Sequence, residues 1–150
     1  MLYKLRSDKK DSKWVILILD KALLWELDCS FFYTNASSSL FKDRRLKEYK
    51  TLSAFNKMFC EKYPPDILFE NNEIVRSDLK IPDYYTTNPQ AEVLVFNDIP
   101  NKYILGIVYY SIEDKRRYEE KFHQHTHMLK QNLFKGRFDY KHWQKGENNG

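Results

Sequence analysis

Short apolar runs between polar stretches mark the predicted elements in the first half of the chain. The run WVILIL is rich in branched residues and predicts a buried strand. Asp20 follows it and predicts the cap of a short helical turn. The pattern predicts strands over 14–19 and 31–34 and helices over 39–49 and 52–63. The Pro64-Pro65 pair stops the last of these helices.

The second half begins with a long segment that lacks hydrophobic periodicity. Residues 66–89 contain paired Asn, Tyr and Thr residues and are predicted to be irregular. Loops of this length are uncommon in compact domains and are often functional. The elements predicted after this segment are strands over 91–96 and 104–110, a charged helix over 113–133 and a last short strand over 138–143.

This order of elements predicts one domain over residues 1–150, of the α+β class, with a mixed or antiparallel sheet core and peripheral helices. Of the 150 residues, 42% are hydrophobic and 16% aromatic, which is enough for one sizeable core. The chain has only four Gly and five Pro, so its composition does not indicate disorder.

Charge and cysteine content narrow the function classes only slightly. The formal net charge of +4 permits a polyanionic partner without requiring one. Cys29 and Cys60 lack metal-ligand spacing and are expected to pack as small apolar residues in a reducing compartment, with a disulfide left open. No leader-like apolar region opens the chain and no apolar run approaches about 20 residues, so a cytoplasmic protein without a membrane partner is predicted.

Three histidines, His123, His125 and His127, form an H-x-H-x-H pattern. On a strand, this spacing would place the three imidazoles on one face, where they could bind a metal. The surrounding charged stretch has the pattern of a helix, in which residues two apart point away from each other. We therefore expect a solvated helical face and no metal.

Basic residues on the predicted helices support two interpretations. Charge runs on helices are usually solvated faces, whereas a basic helix can also contact phosphates. The cluster with fewer acidic neighbours consists of Lys42, Arg44, Arg45, Lys47 and Lys50. The chain contains no P-loop, no dinucleotide fingerprint and no nucleophile-elbow motif.

A carboxylate and an amide share one face at the start of the predicted strand 91–96. With a period of two, Gln90 and Glu92 point the same way, directly after the irregular segment. A carboxylate in this place could bind a sugar hydroxyl and stabilise positive charge. It could also be an exposed Glu paired with a surface Lys, and the residue pattern alone favours this second interpretation.

The segment QAEVLVFNDIPNKYILGIVYY, residues 90–110, resembles the region around the catalytic glutamate of the DarT family, toxins that ADP-ribosylate DNA. The similarity is carried by Q-A-E before a hydrophobic run, then Ile99-Pro100, then the I-x-G-I strand at residues 104–107. Looser similarity in WVILILDKALLWELDCSFFYTNASS and FDYKHW extends over nearly all of the chain. The resemblance implies an ADP-ribosyltransferase-like fold.

The resemblance also implies roles for individual residues. Glu92 would be the catalytic glutamate, which holds the nicotinamide ribose and favours an oxocarbenium-like transition state. NAD is implied as the co-substrate, and Asn35 and Ala36 are implied to line the part of the site that binds NAD. The resemblance implies no metal. The residues implied to bind DNA are Tyr84 and Tyr85, stacking on an unpaired base, and Thr86, Thr87, Asn88 and Gln90, contacting its edge.

The family likeness implies a substrate, a thymidine base in single-stranded DNA, and a partner, a macrodomain antitoxin of the DarG type. The family's opening block, which carries residues for nicotinamide and ribose, is expected to be missing, so the fold is expected to be N-terminally shortened. An alternative to an active NAD-dependent toxin is therefore a catalytically inactive or fragmentary DarT-like module that binds single-stranded DNA.

Overall fold

The computed structural model describes residues 13–41, 45–65 and 74–143. The strands within this part of the chain are Val15–Leu19 (β1), Cys29–Phe32 (β2), Lys62–Tyr63 (β3), Ile74–Val75 (β4), Glu92–Val95 (β5), Ile104–Tyr109 (β6) and Thr126–Leu129 (β7). The α-helices are Leu23–Glu26 (α1), Leu52–Lys57 (α2), Arg76–Leu79 (α3) and Ile112–Glu119 (α4). Short 3-10 helices cover Ser39–Phe41, Leu46–Tyr49, Asn101–Tyr103, Gln131–Phe134 and Phe138–His142. The predicted α+β class is confirmed.

The chain divides into two compact units, Met1–Leu27 with Asn97–Gly136 and Asp28–Phe96 with Arg137–Gly150. The first unit is built on a mixed sheet in the order β1-β6-β7, in which β1 and β6 are antiparallel and β6 and β7 are parallel. Val108 and Tyr109 of β6 are buried, together with Phe134. Because successive side chains of a strand point to opposite faces, β6 is buried on both faces of the sheet at these two positions.

The first strand is only partly buried, so the prediction of a buried strand over 14–19 is wrong on one face. Val15 and Leu17 are 44% and 46% exposed, whereas Ile16 and Ile18 between them are less exposed. Successive side chains of a strand point to opposite faces, and here one face turns outward. The helical turn behind it forms, but the prediction of Asp20 as its cap is wrong, because the N-cap of α1 is Ala22. Asp20 Oδ1 instead accepts from the Ala22 amide at 2.9 Å, in the turn before the helix.

The second unit contains two antiparallel strand pairs, β2 with β5 and β3 with β4. All four residues of β2 are buried. Its core is a cluster of aromatic side chains, in which Phe32 stacks on Tyr49 with ring centroids 4.7 Å apart and meets Phe41 edge-on at 5.1 Å. Such ring pairs add to the free energy gained by burial, so they fix the end of β2.

The predicted helix over 113–133 is wrong beyond Glu119. The chain turns after α4, and Thr126–Leu129 instead forms β7 beside β6. The main-chain groups of Thr126–Leu129 are satisfied by pairing with the edge of β6, and this tertiary pairing overrides the local helical pattern. The predicted last strand over 138–143 is also wrong, because Phe138–His142 is a 3-10 helix.

The two predicted helices before Pro64 are shorter and tighter than expected. Within 39–49, the described residues form 3-10 turns at Ser39–Phe41 and Leu46–Tyr49, and residues 42–44 lie outside the described part. The next helix ends at Lys57, and Lys62–Tyr63 pairs with Ile74–Val75 as a strand. The segment predicted to be irregular thus contains β4 and α3, while residues 66–73 lie outside the described part.

Candidate active site

Glu92 is the first residue of β5 and lies opposite Phe32, the last residue of β2. The register between the two strands is fixed by burial, since a shift of one residue would turn Phe32 out of the aromatic cluster. The sequence thus places the Glu92 carboxylate where β2 ends and the following turn begins. Leu94 and Phe96 are 37% and 46% exposed, so the hydrophobic run after Glu92 is only partly buried.

The turn after β2 holds the Glu92 carboxylate. The Ala36 amide donates a hydrogen bond to Glu92 Oε2 at 2.9 Å. Asn35 shapes this turn, because its Oδ1 accepts from the Ser37 amide at 2.8 Å and from the Ser37 hydroxyl at 2.6 Å. Asn residues commonly stabilise turns in this way. The structure therefore brings together Glu92, Asn35 and Ala36, the three residues for which the family resemblance implied catalytic and cofactor roles.

The surface salt bridge considered for Glu92 is not formed within the described residues. In that part of the chain no Lys or Arg nitrogen lies within ion-pair distance of its carboxylate, and Oε1 accepts no hydrogen bond. Its side chain is half-buried. A partly desolvated carboxylate with one oxygen held by a backbone amide suits a role in binding a hydroxyl or in stabilising positive charge.

The segment 82–88 is here called the tyrosine loop, and its two tyrosines differ in solvent exposure. Tyr84 is 78% exposed. Tyr85 is half-buried and meets Tyr84 edge-on, with ring centroids 5.1 Å apart. An exposed aromatic ring is the group on which an unpaired base can stack, so Tyr84 is the better placed of the two.

Thr87 and Asn88, the last residues of the tyrosine loop, are turned into the protein. Asn88 is 4% exposed, and its Nδ2 donates to Thr34 Oγ1 at 3.0 Å and to the Tyr63 hydroxyl at 2.7 Å. Its Oδ1 accepts from the amide of Gln90, which is exposed. Thr87 is fully buried and donates to the Cys60 carbonyl at 2.7 Å. A base contact by Asn88 or Thr87 would require these bonds to break, whereas Gln90 is accessible.

Tyr63 completes the buried hydrogen-bond network around Asn88. Burial raises the pKa of its hydroxyl, an effect partly offset by its hydrogen bonds with Thr34 and Asn88. The hydroxyl therefore stays protonated and keeps both a donor and an acceptor. This network anchors the tyrosine loop to the turn after β2.

Two arginines that the sequence did not single out also contact the tyrosine loop. Arg76 of α3 donates to Thr87 Oγ1 and to the carbonyls of Pro82 and Asp83, each at 3.1 Å. Arg137 donates to the Thr86 carbonyl at 2.8 Å and lies over the ring of Tyr85. Neither had a sequence signal, because each stands among many other charged residues.

The three histidines lie in a turn and in β7, so the predicted helical face is wrong. The His125 ring donates from Nδ1 to the Ile104 carbonyl at 3.0 Å. The His127 ring donates from Nε2 to the Phe122 carbonyl at 2.9 Å, and its Nδ1 contacts the Tyr109 hydroxyl. Within the described ranges, no three His, Cys, Asp or Glu side chains are grouped as metal ligands would be.

Among the basic residues that the sequence singled out, Lys50 has side-chain contacts. Lys50 pairs with Asp28 and lies over the Phe96 ring. Lys42 and Arg44 of the same cluster lie outside the described residues. Cys29 and Cys60 form no disulfide, and burial raises the pKa of the Cys29 thiol.

Comparison with known proteins identifies the family of the chain. No described helix has the length and apolar character needed to cross a membrane. None of the curated proteins matches the chain. The DarT family model, described as ssDNA thymidine ADP-ribosyltransferase, matches residues 1–140 of the 150. The chain therefore belongs to the DarT family.

Proposed function

We propose that this chain transfers ADP-ribose from NAD to a thymidine base in single-stranded DNA, with Glu92 as the catalytic residue. The observation that carries the proposal is the hydrogen bond from the Ala36 amide to Glu92 Oε2, which fixes the carboxylate at the end of the β2–β5 pair. Membership of a family of ADP-ribosyltransferases supplies the reaction class.

The residues around Glu92 fit the ribose of NAD. Ribose hydroxyls are hydrogen-bond donors, and the carboxylate offers Oε1 as an acceptor while Oε2 stays bonded to Ala36. Asn35 holds the turn in which Ala36 lies, so it would support the NAD side of the site without contacting the ribose itself. When bound, NAD supplies the ADP-ribosyl group.

Glu92 would act on both bonds that change. As the bond between the ribose anomeric carbon and nicotinamide breaks, its electron pair leaves with nicotinamide and positive charge develops on the ribose. The nearby carboxylate of Glu92 stabilises that charge. A new bond then forms from the thymidine base nitrogen to the anomeric carbon, and Glu92 takes the proton which that nitrogen loses.

The tyrosine loop would hold the DNA. Tyr84 is the ring on which we expect the unpaired base to stack, because it is 78% exposed. Tyr85, Thr86 and Gln90 would contact the same nucleotide from the neighbouring positions. Asn88 and Thr87 would support the loop from within, since both are buried and bonded inside the protein.

The proposal extends to a role as the toxin of a cytoplasmic toxin–antitoxin pair, with a macrodomain antitoxin as partner. Induction of the wild-type chain in bacterial cells should then arrest growth, and Glu92→Gln should not. Co-expression of a macrodomain that removes ADP-ribose from DNA should restore growth. Equal growth arrest by the wild type and the variant would refute toxicity through this reaction.

The rate of ADP-ribose transfer by Glu92→Gln tests the catalytic assignment. Gln keeps the size and an acceptor for the Ala36 amide but lacks the charge, so we expect transfer to an oligothymidine to fall by about 100-fold or more. Glu113→Gln is the matched control, since Glu113 is an exposed glutamate in the first turn of α4. Equal rates for the wild type and Glu92→Gln would refute the role of Glu92. NAD-independent DNA binding with no transfer would identify a non-catalytic binding module.

A further inference from the structure

Arg76 holds the tyrosine loop at its beginning and near its end. Its Nη2 donates to the carbonyls of Pro82 and Asp83, and its Nη1 donates to the Thr87 hydroxyl, all at 3.1 Å. These acceptors lie on either side of Tyr84 and Tyr85. A planar guanidinium that bonds several acceptors at once fixes their relative positions, so Arg76 closes the loop around its two tyrosines.

Arg137 holds the middle of the same loop. Its Nη1 donates to the Thr86 carbonyl at 2.8 Å and lies 3.3 Å from the Thr86 hydroxyl. The guanidinium carbon lies 4.9 Å from the centre of the Tyr85 ring. The contact fixes the plane of Tyr85, against which Tyr84 packs edge-on.

Asp139 fixes Arg137 in turn. The two carboxylate oxygens accept from Arg137 Nε at 2.9 Å and Nη2 at 2.7 Å, and the Asp139 side chain is fully buried. A bidentate pair of this kind defines the direction of the guanidinium as well as its distance. The positive charge of Arg137 is thus compensated inside the protein.

We propose that Arg76 and Arg137 are positioning residues for the DNA substrate, which hold the tyrosine loop in one conformation so that Tyr84 projects towards an unpaired base. This inference rests on the proposed function, in which single-stranded DNA is the substrate. A loop that is ordered before binding loses less conformational entropy when the ligand binds, which strengthens affinity without any new contact. Both arginines direct N–H groups at protein acceptors, which favours a positioning role over a phosphate contact.

A paired substitution removes Arg137 without leaving a buried charge. Arg137→Met alone would leave the buried Asp139 carboxylate without its ion-pair partner. Arg137→Met combined with Asp139→Leu replaces the ion pair by apolar side chains of similar volume, and such a replacement is often nearly neutral for folding. Arg76→Met is a second variant, which leaves the Arg137–Asp139 pair intact. Arg117→Met is the control, because Arg117 lies over the Tyr118 ring in the other compact unit.

Hydrogen exchange of the peptide spanning residues 82–88 tests the positioning role without DNA. The amides of Tyr85 and Thr87 are bonded to the Pro82 and Met58 carbonyls and report on the loop. We expect exchange in this peptide to accelerate about tenfold or more in Arg76→Met and in the paired variant, and to be unchanged in Arg117→Met. Unchanged exchange in both loop variants would overturn the proposal.

Affinity for a fluorescent oligothymidine at several salt concentrations supplies the second readout. We expect the Kd to rise about tenfold in the loop variants through lost preorganisation, with the salt dependence of binding unchanged. A slope of log K against log salt that falls by about 0.7 would identify a lost phosphate contact and overturn the proposal. If the wild type binds no single-stranded DNA, the proposed function fails, while the exchange measurement still decides whether the arginines order the loop.

Discussion

At the scale of single residues, the Ala36 amide and the turn that Asn35 shapes hold the Glu92 carboxylate at the end of the β2–β5 pair. The family resemblance around Glu92 implied a catalytic role for this residue, and the structure places it beside Asn35 and Ala36. The Arg137–Asp139 pair could not be assigned in this way. Its role depends on contacts with Thr86, which lies 51 residues away in the chain and is brought close only by the fold.

Asn88→Ala should destabilise the protein because it removes a buried amide with several partners. The substitution leaves Thr34 Oγ1, the Tyr63 hydroxyl and the Gln90 amide without the bonds they make to Asn88. We expect the free energy of unfolding, measured in urea, to fall by about 2 kcal/mol or more. Gln90→Ala is the control and should leave stability nearly unchanged. An Asn88→Ala protein of wild-type stability would contradict a supporting role for Asn88.

Tyr84→Ala should weaken DNA binding without affecting stability. The Tyr84 side chain is 78% exposed, so its removal costs little packing. Loss of one stacked base is expected to raise the Kd for single-stranded DNA by about 10-fold or more, measured by fluorescence anisotropy. Tyr84→Phe, which keeps the ring, should bind like the wild type. Wild-type affinity in Tyr84→Ala would argue that no base stacks there.

At the scale of elements, strands with strong apolar runs were predicted well and the sequence around the histidines was not. β1, β5 and β6 lie where their hydrophobic runs predicted. Residues 120–129 have a helical charge pattern, but the open edge of β6 pairs with Thr126–Leu129. The two paired segments come close to each other only when the chain folds, so no local sequence pattern predicts the pairing.

Gly106 of β6 should not tolerate a side chain. A Cβ there would lie 3.0 Å from the Thr126 carbonyl oxygen and 3.1 Å from Met128 Cε. Since the oxygen belongs to the neighbouring strand β7, β6 and β7 would have to separate locally. We expect Gly106→Ala to lower the free energy of unfolding by about 1–3 kcal/mol, measured by thermal and urea unfolding. Gly136→Ala is the control, because its Cβ would meet nothing within 4 Å. Equal losses in the two variants would contradict this account of Gly106.

At the scale of the whole molecule, the family was identified from a short motif and its context and is confirmed by a match over residues 1–140. The long-range strand pairs were not predictable in the same way. β1 pairs with β6, and β2 with β5, although the paired residues are at least 60 positions apart in the chain. Hydrophobic runs indicate which segments are strands, but the choice of partner depends on how all of the segments pack together.

The chemistry of the whole protein can be tested on an oligonucleotide with a single thymidine. After incubation of the wild-type protein with NAD and this single-stranded DNA, intact mass spectrometry should show one added ADP-ribosyl group, located on the thymidine. The same strand with cytidine in place of thymidine should stay unmodified, and so should the thymidine strand treated with Glu92→Gln. Absence of the added group with the wild type, or equal modification of the cytidine strand, would contradict thymidine ADP-ribosylation by this chain.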